Sequence, residues 1–484
     1  MASEPIERLE PGQVVLTGLG EACVVSEELA AAFQPGDRLI AASGEILHVP
    51  NAEHDIVEKA VVSALEAFDA LARCSDDEIS QFYAEFARRL EDPTVVSHIM
   101  AANAADVESA SVRGRSTTRL QLSTAMLADM IAGLHMWQRS DVQRNVVIAE
   151  VAHEGWSVQS RRAPVGVVGF VFEGRPNVFA DAAGVIRSGN TAVLRIGSDA
   201  LGTARAMMTY ALQPALATAG LPGGAVALID SPTHAAGWAL FSDRRLALAV
   251  ARGSGPAVEL LGSIARSVGV PASLHGTGGA WMIVAEDADT ERLRTVVAAS
   301  LDRKVCNTLN VCCVVRSAQH QLIDVLEGAS IAAANRATRA IVHASPDVAA
   351  ACDGIDLPAN IELAGIGDLG HEWEWENDPE FALVLVASVD EAVQLCNSHS
   401  PQFVVSVLTE SSDVFERVYN SVNAPFVGNG FTRWVDGQYA LNEPELGLSN
   451  WQSGRLLGRG GVLSGASVHT IRLVATIDSP TLHR

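Results

Sequence analysis

Cys306 stands in the segment Arg303-Lys304-Val305-Cys306-Asn307-Thr308, between a run that reads as an amphipathic helix and one that reads as a buried strand. Leu293, Val296, Val297 and Leu301 recur at helical spacing, whereas Val311-Cys-Cys-Val-Val315 is continuously apolar. A thiol on the short connection between two such elements is held by both and stays open to a reactant. As a thiolate it is a nucleophile suited to an activated acyl group, which it would convert to a thioester. Cys312 and Cys313 fall inside the strand and are expected to be packed core residues.

The elements that must position this loop can be read along the chain. Residues 12–50 contain short apolar runs broken by turn residues, which predicts a small β-rich appendage over 1–50. Alanine-rich segments from Ala52 to about Trp137, such as Val57-Ala60-Val61-Ala64-Phe68, carry a 3.6-residue period and predict a set of helices. Val146 to Val158 alternates as a strand pair, and His469 to Ile477 reads as another strand. Between Pro164 and about Val284, strands and helices alternate as in a doubly wound parallel sheet. A second α/β unit beginning near Ala285 holds Cys306. The expected division is 1–50, 51–284 with flap strands at about 145–160, 285–445, and 446–484.

Composition narrows the partners. At 484 residues the chain exceeds one ordinary core, and its 48% hydrophobic content is ample for burial. A formal charge of −23 argues against nucleic acid and against anionic membrane, so a small anionic substrate must be caught by local arginines. The first residues lack a basic region followed by an apolar block, and no apolar run is long enough to span a bilayer, which predicts a cytoplasmic protein. Seven cysteines without a repeating spacing fit reduced thiols, and no Cys/His pattern suggests a metal. Lys59 and Lys304 are the only lysines, so arginine carries nearly all the positive charge.

Several segments, in their order along the chain, resemble the glutamate-5-semialdehyde dehydrogenase (gamma-glutamyl phosphate reductase) family of the aldehyde dehydrogenase superfamily. They are Phe172-Glu-Gly-Arg-Pro-Asn-Val178, Arg187-Ser-Gly-Asn-Thr-Ala-Val-Leu-Arg195, Arg252-Gly-Ser-Gly255, Val305-Cys-Asn307 and Thr432-Arg-Trp-Val-Asp-Gly437. The likeness runs from about Asn51 to about Ile477. It departs from the family at Asn450–Gly461, where only Arg459-Gly460 lines up.

The resemblance implies an aldehyde dehydrogenase-like α/β fold with a Rossmann-type cofactor domain, an α/β catalytic domain and a β flap that joins subunits as a homodimer or homotetramer. It implies reduction of an acyl phosphate to an aldehyde, with Cys306 as nucleophile and Asn177 as an oxyanion donor. A leucine, Leu274, stands where oxidising relatives carry the glutamate that activates water, which favours reductive over hydrolytic chemistry. Implied cofactor contacts are Arg195, Gly197 and Ser198 near the adenosine ribose, Arg252, Gly253 and Ser254 near the pyrophosphate or nicotinamide, and Glu376 near the nicotinamide ribose. Arg195 and Ser198 would favour NADPH, while Asp199 suits NADH, the alternative. Arg433 and Arg459 are the implied substrate contacts. Two other readings stay open: a reductase of acyl-CoA or carrier-bound thioesters, and a catalytically silent homologue that binds a nucleotide or a partner.

Overall fold

The computed structural model describes residues 6–482 apart from 19–20, 116, 118–119, 142–143, 353–358, 436–439, 443–444, 448–450, 453–454, 457–462, 466 and 480. Two antiparallel hairpins open the chain, β1 (Val14–Gly18) with β2 (Glu21–Val24) and β3 (Arg38–Ala42) with β4 (Glu45–Val49). A short helix between them, α1 (Glu27–Ala32), was not announced by the turn-rich pattern. Four longer helices follow: α2 (Asn51–Leu71), α3 (Asp76–Glu91), α4 (Pro93–Val112) and α5 (Thr124–Arg139). On α2 the 3.6-residue stripe Val57, Ala60, Val61 and Ala64 is buried, and α3 starts with a reciprocal Ser75–Glu78 capping box.

The hairpin β5 (Val147–His153) and β6 (Trp156–Ala163) precedes the first parallel sheet. That sheet is built from β7 (Val167–Phe172), α6 (Val178–Ala183), β8 (Thr191–Ile196), α7 (Leu201–Met207), α8 (Gln213–Thr218), β9 (Val226–Leu228), α9 (His234–Phe241), β10 (Leu246–Arg252), α10 (Gly255–Ser267) and β11 (Ala272–His275). Its spatial order is β11-β10-β7-β8-β9, all parallel. Every residue of β7 and β8 is buried, as expected when helices cover both faces. One face is covered by residues of α3 to α8, the other by residues of α2, α9 and α10. Counting β7 as the first strand, the order is 3-2-1-4-5, and the connections reverse direction between β7 and β10. The crevice beyond the carboxyl ends of those two strands is where an open α/β sheet takes its ligand.

A seven-stranded parallel sheet follows, from β12 (Ala280–Val284), α11 (Thr290–Ser300), β13 (Leu309–Val315), α12 (Leu322–Ala334), β14 (Ala340–Ala344), α13 (Pro346–Ala351), β15 (Ala359–Leu363), β16 (Glu380–Val386), α14 (Val389–His399), β17 (Val404–Leu408), α15 (Ser412–Ser421) and β18 (Phe426–Gly428). Its order is β15-β14-β16-β13-β12-β17-β18. Beyond it β19 (Glu445–Gly447) pairs with β22 (Leu463–Ser464), and β20 (Trp451–Gln452) with β21 (Arg455–Leu456). The last strand, β23 (Thr470–Ile477), returns to pair antiparallel with β6 along its whole length and completes the flap β23-β6-β5. No helix among the described residues is long and apolar enough to cross a membrane.

Asn190 ties the flap to the first sheet. Its side-chain oxygen accepts from the Val165 and Gly166 N–H groups at 2.7 and 3.0 Å, and its amide nitrogen donates to Ser188 Oγ at 2.9 Å and to the Val468 carbonyl at 2.7 Å. The residue is fully buried, so Asn190→Ala strands these partners away from water. A loss of about 3 kcal/mol is expected, read as a lower denaturation midpoint in urea. An unchanged midpoint would show that other contacts hold the return of β23.

Candidate active site

Cys306 lies on the turn between α11 and β13, and the turn is closed by its own residues. The Thr308 hydroxyl accepts the Val305 N–H at 2.8 Å and donates to the Arg303 carbonyl at 2.7 Å. From the neighbouring strand connection, the Gly279 N–H donates to the Cys306 carbonyl at 2.7 Å. The approach is close enough to demand glycine at 278, where an added Cβ would meet the Cys306 carbonyl oxygen at 2.6 Å and its Cα at 2.7 Å. The cysteine is half-buried and packs against a small cluster of Ala280, Phe403, Val404, Phe426 and Val435. Cys312 and Cys313, by contrast, are sealed in β13, and burial pushes both thiols well up.

A second constraint comes from outside the turn. Lys304 is buried, and its Nζ lies 2.9 Å from Glu372 Oε1. The other carboxylate oxygen of Glu372 accepts the Gly278 N–H at 2.7 Å. Glu372 itself is held in place by Asn310, whose amide donates to the His371 carbonyl at 2.7 Å and accepts the Trp373 N–H at 2.9 Å. The Asn307 amide donates to the Val435 carbonyl. Glu376, the acidic residue expected at the nicotinamide ribose, is exposed, with its carbonyl accepting from Arg336 at 2.7 Å. The fold therefore brings Glu372 to the cysteine loop and leaves Glu376 at the surface.

Across from the cysteine stand the carboxyl ends of the first sheet. Leu274 lies over Gly262 of α10, and the next residue turns the opposite way, so that the His275 ring meets Phe403 edge-on at 5.3 Å. His275 thus meets the apolar cluster against which Cys306 packs. Burial pushes its imidazole down to about 3, and the charges of Arg252 and Arg175 act in the same direction, so the ring is neutral near neutral pH. Asn177 stands at the N-cap position of α6 without a side-chain capping bond, and its side-chain oxygen is buried with no hydrogen-bond partner among the described residues. A flip of the amide would put its two donor hydrogens in that position. One turn further on, Asp181 faces Arg252 at 3.8 Å. Burial pushes its carboxyl up to about 6, although Arg252 and Arg175 pull the other way.

The expected cofactor residues other than Glu376 collect at the ends of β8 and β10, and Arg195 and the neighbouring Asp199 are engaged by the protein itself. Gly197 approaches the Gly174 N–H so closely that a Cβ would sit 2.9 Å away, which suits a turn over which a dinucleotide passes. The Ser254 N–H, at the start of α10, donates to Glu173 Oε1 at 2.7 Å, so a carboxylate already occupies this donor. Arg195 departs from expectation: its Nη2 donates to the Pro232 and Thr233 carbonyls at 3.2 and 2.9 Å, and the residue is buried. Asp199 is the other departure, since both its oxygens are engaged by Arg113 at 2.8 Å and Arg115 at 2.7 Å. These arginines were not singled out from the sequence, because α4 and the residues after it lie far from β8 along the chain. The residues present fit a nicotinamide dinucleotide in the β7–β10 crevice.

Of the two expected substrate contacts, Arg433 is buried and paired with Asp302, which shapes the loop after α11. Arg459 lies outside the described residues. Among the described residues, no group of three or more histidine, cysteine or acidic side chains is placed to hold a metal.

The aldehyde dehydrogenase family model matches residues 40–333. Gamma-glutamyl phosphate reductase of Serratia marcescens is 29% identical over 396 residues, covering 80% of this chain and 91% of its own. The Bacillus anthracis protein of the same name is 27% identical over 361 residues, covering 73% and 83%. In three dimensions the chain is similar to gamma-glutamyl phosphate reductase of Thermotoga maritima, with a TM-score of 0.77, 24% identity, and coverage of 89% and 100%. An acetylating aldehyde dehydrogenase of Geobacillus thermoglucosidasius shares the fold with a TM-score of 0.62, 19% identity, and coverage of 90% and 99%.

Two predictions come from this geometry. Asp181 ionises near 3.8 when unfolded and near 6 when folded, so its penalty on stability is absent below the first value and complete above the second. The carboxylate is one-fifth exposed, which places the effect at the small end. Asp181→Asn is expected to stabilise the fold by about 1–2 kcal/mol near pH 7.5 and not at all near pH 4, measured by urea unfolding at both. A gain that is the same at both pH values would rule out ionisation as its cause. Glu372→Gln leaves the buried Lys304 ammonium without its counter-charge, and should lower stability by about 3 kcal/mol while cutting turnover more than cofactor affinity. Full turnover in that variant would remove Glu372 from the support of the cysteine loop.

Proposed function

Because the chain belongs to the aldehyde dehydrogenase family, we propose that it reduces an acyl phosphate of the gamma-glutamyl phosphate kind to the corresponding aldehyde, through a thioester on Cys306. The observation that carries this reading is the joint one. The chain is similar to gamma-glutamyl phosphate reductases over 73–80% of its length, and its cysteine sits half-buried on a turn fixed from both sides.

The Cys306 thiolate attacks the acyl carbon, the bond to the phosphate oxygen breaks, and phosphate leaves with the electron pair and takes a proton from solvent. A reduced nicotinamide, when bound, supplies hydride to the acyl carbon. The resulting thiohemiacetal on Cys306 collapses to aldehyde and thiolate, which restores the nucleophile. Both tetrahedral stages place negative charge on the former carbonyl oxygen. The Asn177 amide and the Cys306 N–H are assigned to it, each donor being worth about 3–4 kcal/mol in such sites. The Asn177 oxygen is buried without a partner among the described residues, and the amide turned over would aim its N–H donors into that space.

The cofactor would lie over Gly197 and Ser198 at the end of β8 and over Arg252, Gly253 and Ser254 at the end of β10, with Glu173 displaced from the Ser254 N–H. We take NADPH as the hydride donor and NADH as the alternative. On this reading residues 51–284 form the cofactor domain and 285–445 the catalytic domain. The flap is assigned to assembly as a homodimer or homotetramer, supported by exposed Val147, Ile148 and Val151 on β5 and Ile471, Leu473 and Ile477 on β23. A reducing compartment such as the cytoplasm suits a catalytic thiol, and no disulfide is formed among the seven cysteines.

Cys306→Ser is expected to abolish reduction and leave cofactor binding nearly intact, since an alcohol is a far poorer nucleophile near neutral pH than a thiolate. With the cofactor omitted, the parent protein given an acyl phosphate should show the acyl mass on the peptide containing Cys306. Retained turnover in the variant would end this mechanism, and turnover of acyl-CoA in place of acyl phosphate would change the leaving group.

A further inference from the structure

The carboxyl end of β8 carries more positive charge than its own sequence supplies. In a sheet ordered 3-2-1-4-5 the second strand ends at the adenosine ribose of a bound dinucleotide. An acidic residue there accepts from the free ribose hydroxyls of NADH, whereas arginines there receive the 2′-phosphate of NADPH. Asp199 has the acidic position, but Arg113 Nη2 and Arg115 Nη1 bind its two oxygens at 2.8 and 2.7 Å. Two guanidinium groups on one carboxylate leave one net positive charge. Each guanidinium has five N–H donors, more than one carboxylate can satisfy, and the two side chains are 42% and 54% exposed.

We propose that Arg113 and Arg115 form the seat of the NADPH 2′-phosphate, with Asp199 as the post that holds both guanidinium groups in place. This rests on the nicotinamide reading above and names the residues that choose between its two cofactors. The support beneath them is built. Asn103 of α4 is buried, donates to the Leu120 carbonyl at 3.0 Å and Thr203 Oγ at 3.2 Å, and accepts the Leu122 N–H at 2.8 Å. Asp106, also on α4, accepts from both the N–H and the hydroxyl of Thr203 at 2.7 Å. Thr203 lies on α7, four residues beyond Asp199, so these bonds dock the second half of α4 on the helix that follows the turn expected to face the ribose. Arg195, the arginine nearest in sequence, is buried, and its Nη2 donates to the Pro232 and Thr233 carbonyls. A planar fork binds a phosphate through paired N–H groups, and two converging forks suit a dianion.

The test uses the full-length protein and two probes that differ only in the phosphate, 2′,5′-ADP and 5′-AMP, with affinities measured by calorimetry. The parent should hold 2′,5′-ADP about 10-fold to 100-fold tighter, a preference that weakens with added salt. The double variant Arg113→Ala/Arg115→Ala should lose that ratio while its affinity for 5′-AMP stays the same. Arg195→Ala should keep the ratio. Equal affinities in the parent, a ratio that survives in the double variant, or a ratio lost in Arg195→Ala would each overturn the seat. Acyl phosphate reduction is assayed separately. A protein that prefers 2′,5′-ADP through these arginines yet reduces no acyl phosphate would sink the reductase reading and leave the seat standing.

Discussion

The contact between the Gly278–Gly279 backbone and the Cys306 backbone is the constraint on which the site depends. The first sheet ends at His275, the second begins at Ala280, and the four residues between them must pass directly over the Cys306 turn. One hydrogen bond, Gly279 N–H to the Cys306 carbonyl, and the missing side chain at 278 allow that passage. The same four residues thus set the distance between the crevice that suits a dinucleotide and the thiol that would receive an acyl group. A hydride donor and an acceptor must meet within van der Waals range, so positional error here is amplified directly into the barrier.

Electrostatics around this junction run against the chain as a whole. The protein carries a formal charge of −23, yet the strand ends bring Arg252 and Arg175 close enough to act on both Asp181 and His275. Burial chiefly keeps the imidazole neutral, and the two guanidinium charges act in the same direction. Lys304 adds a buried cation two residues from the cysteine, matched by Glu372, so that the loop itself is close to electrically balanced.

Much of this was legible in the sequence where the signal was local. The helical stripe ending at Leu301, the apolar run of β13 and the thiol between them are properties of adjacent residues, and the structure has each of them. The α/β alternation from Pro164 onward likewise follows from short-range period and turn residues. What escaped was pairing across large separations. Asp199 meets Arg115 at 84 residues' distance, and Lys304 meets Glu372 at 68. No spacing rule marks Glu372, within an acidic stretch, as the partner of Lys304, because its place is set by Asn310 on β13. Arg195 and Arg433 have the right residue type for anion binding, and the fold places them buried, beside the Pro232 and Thr233 carbonyls and beside Asp302.

The sealed Lys304 also determines how the protein meets reagents. With that amine buried in its ion pair, Lys59, exposed on α2, is the one lysine left to an acylating label or an activated surface. Covalent attachment through lysine therefore has a single address, and molecules fixed to a support through it would all present the same face.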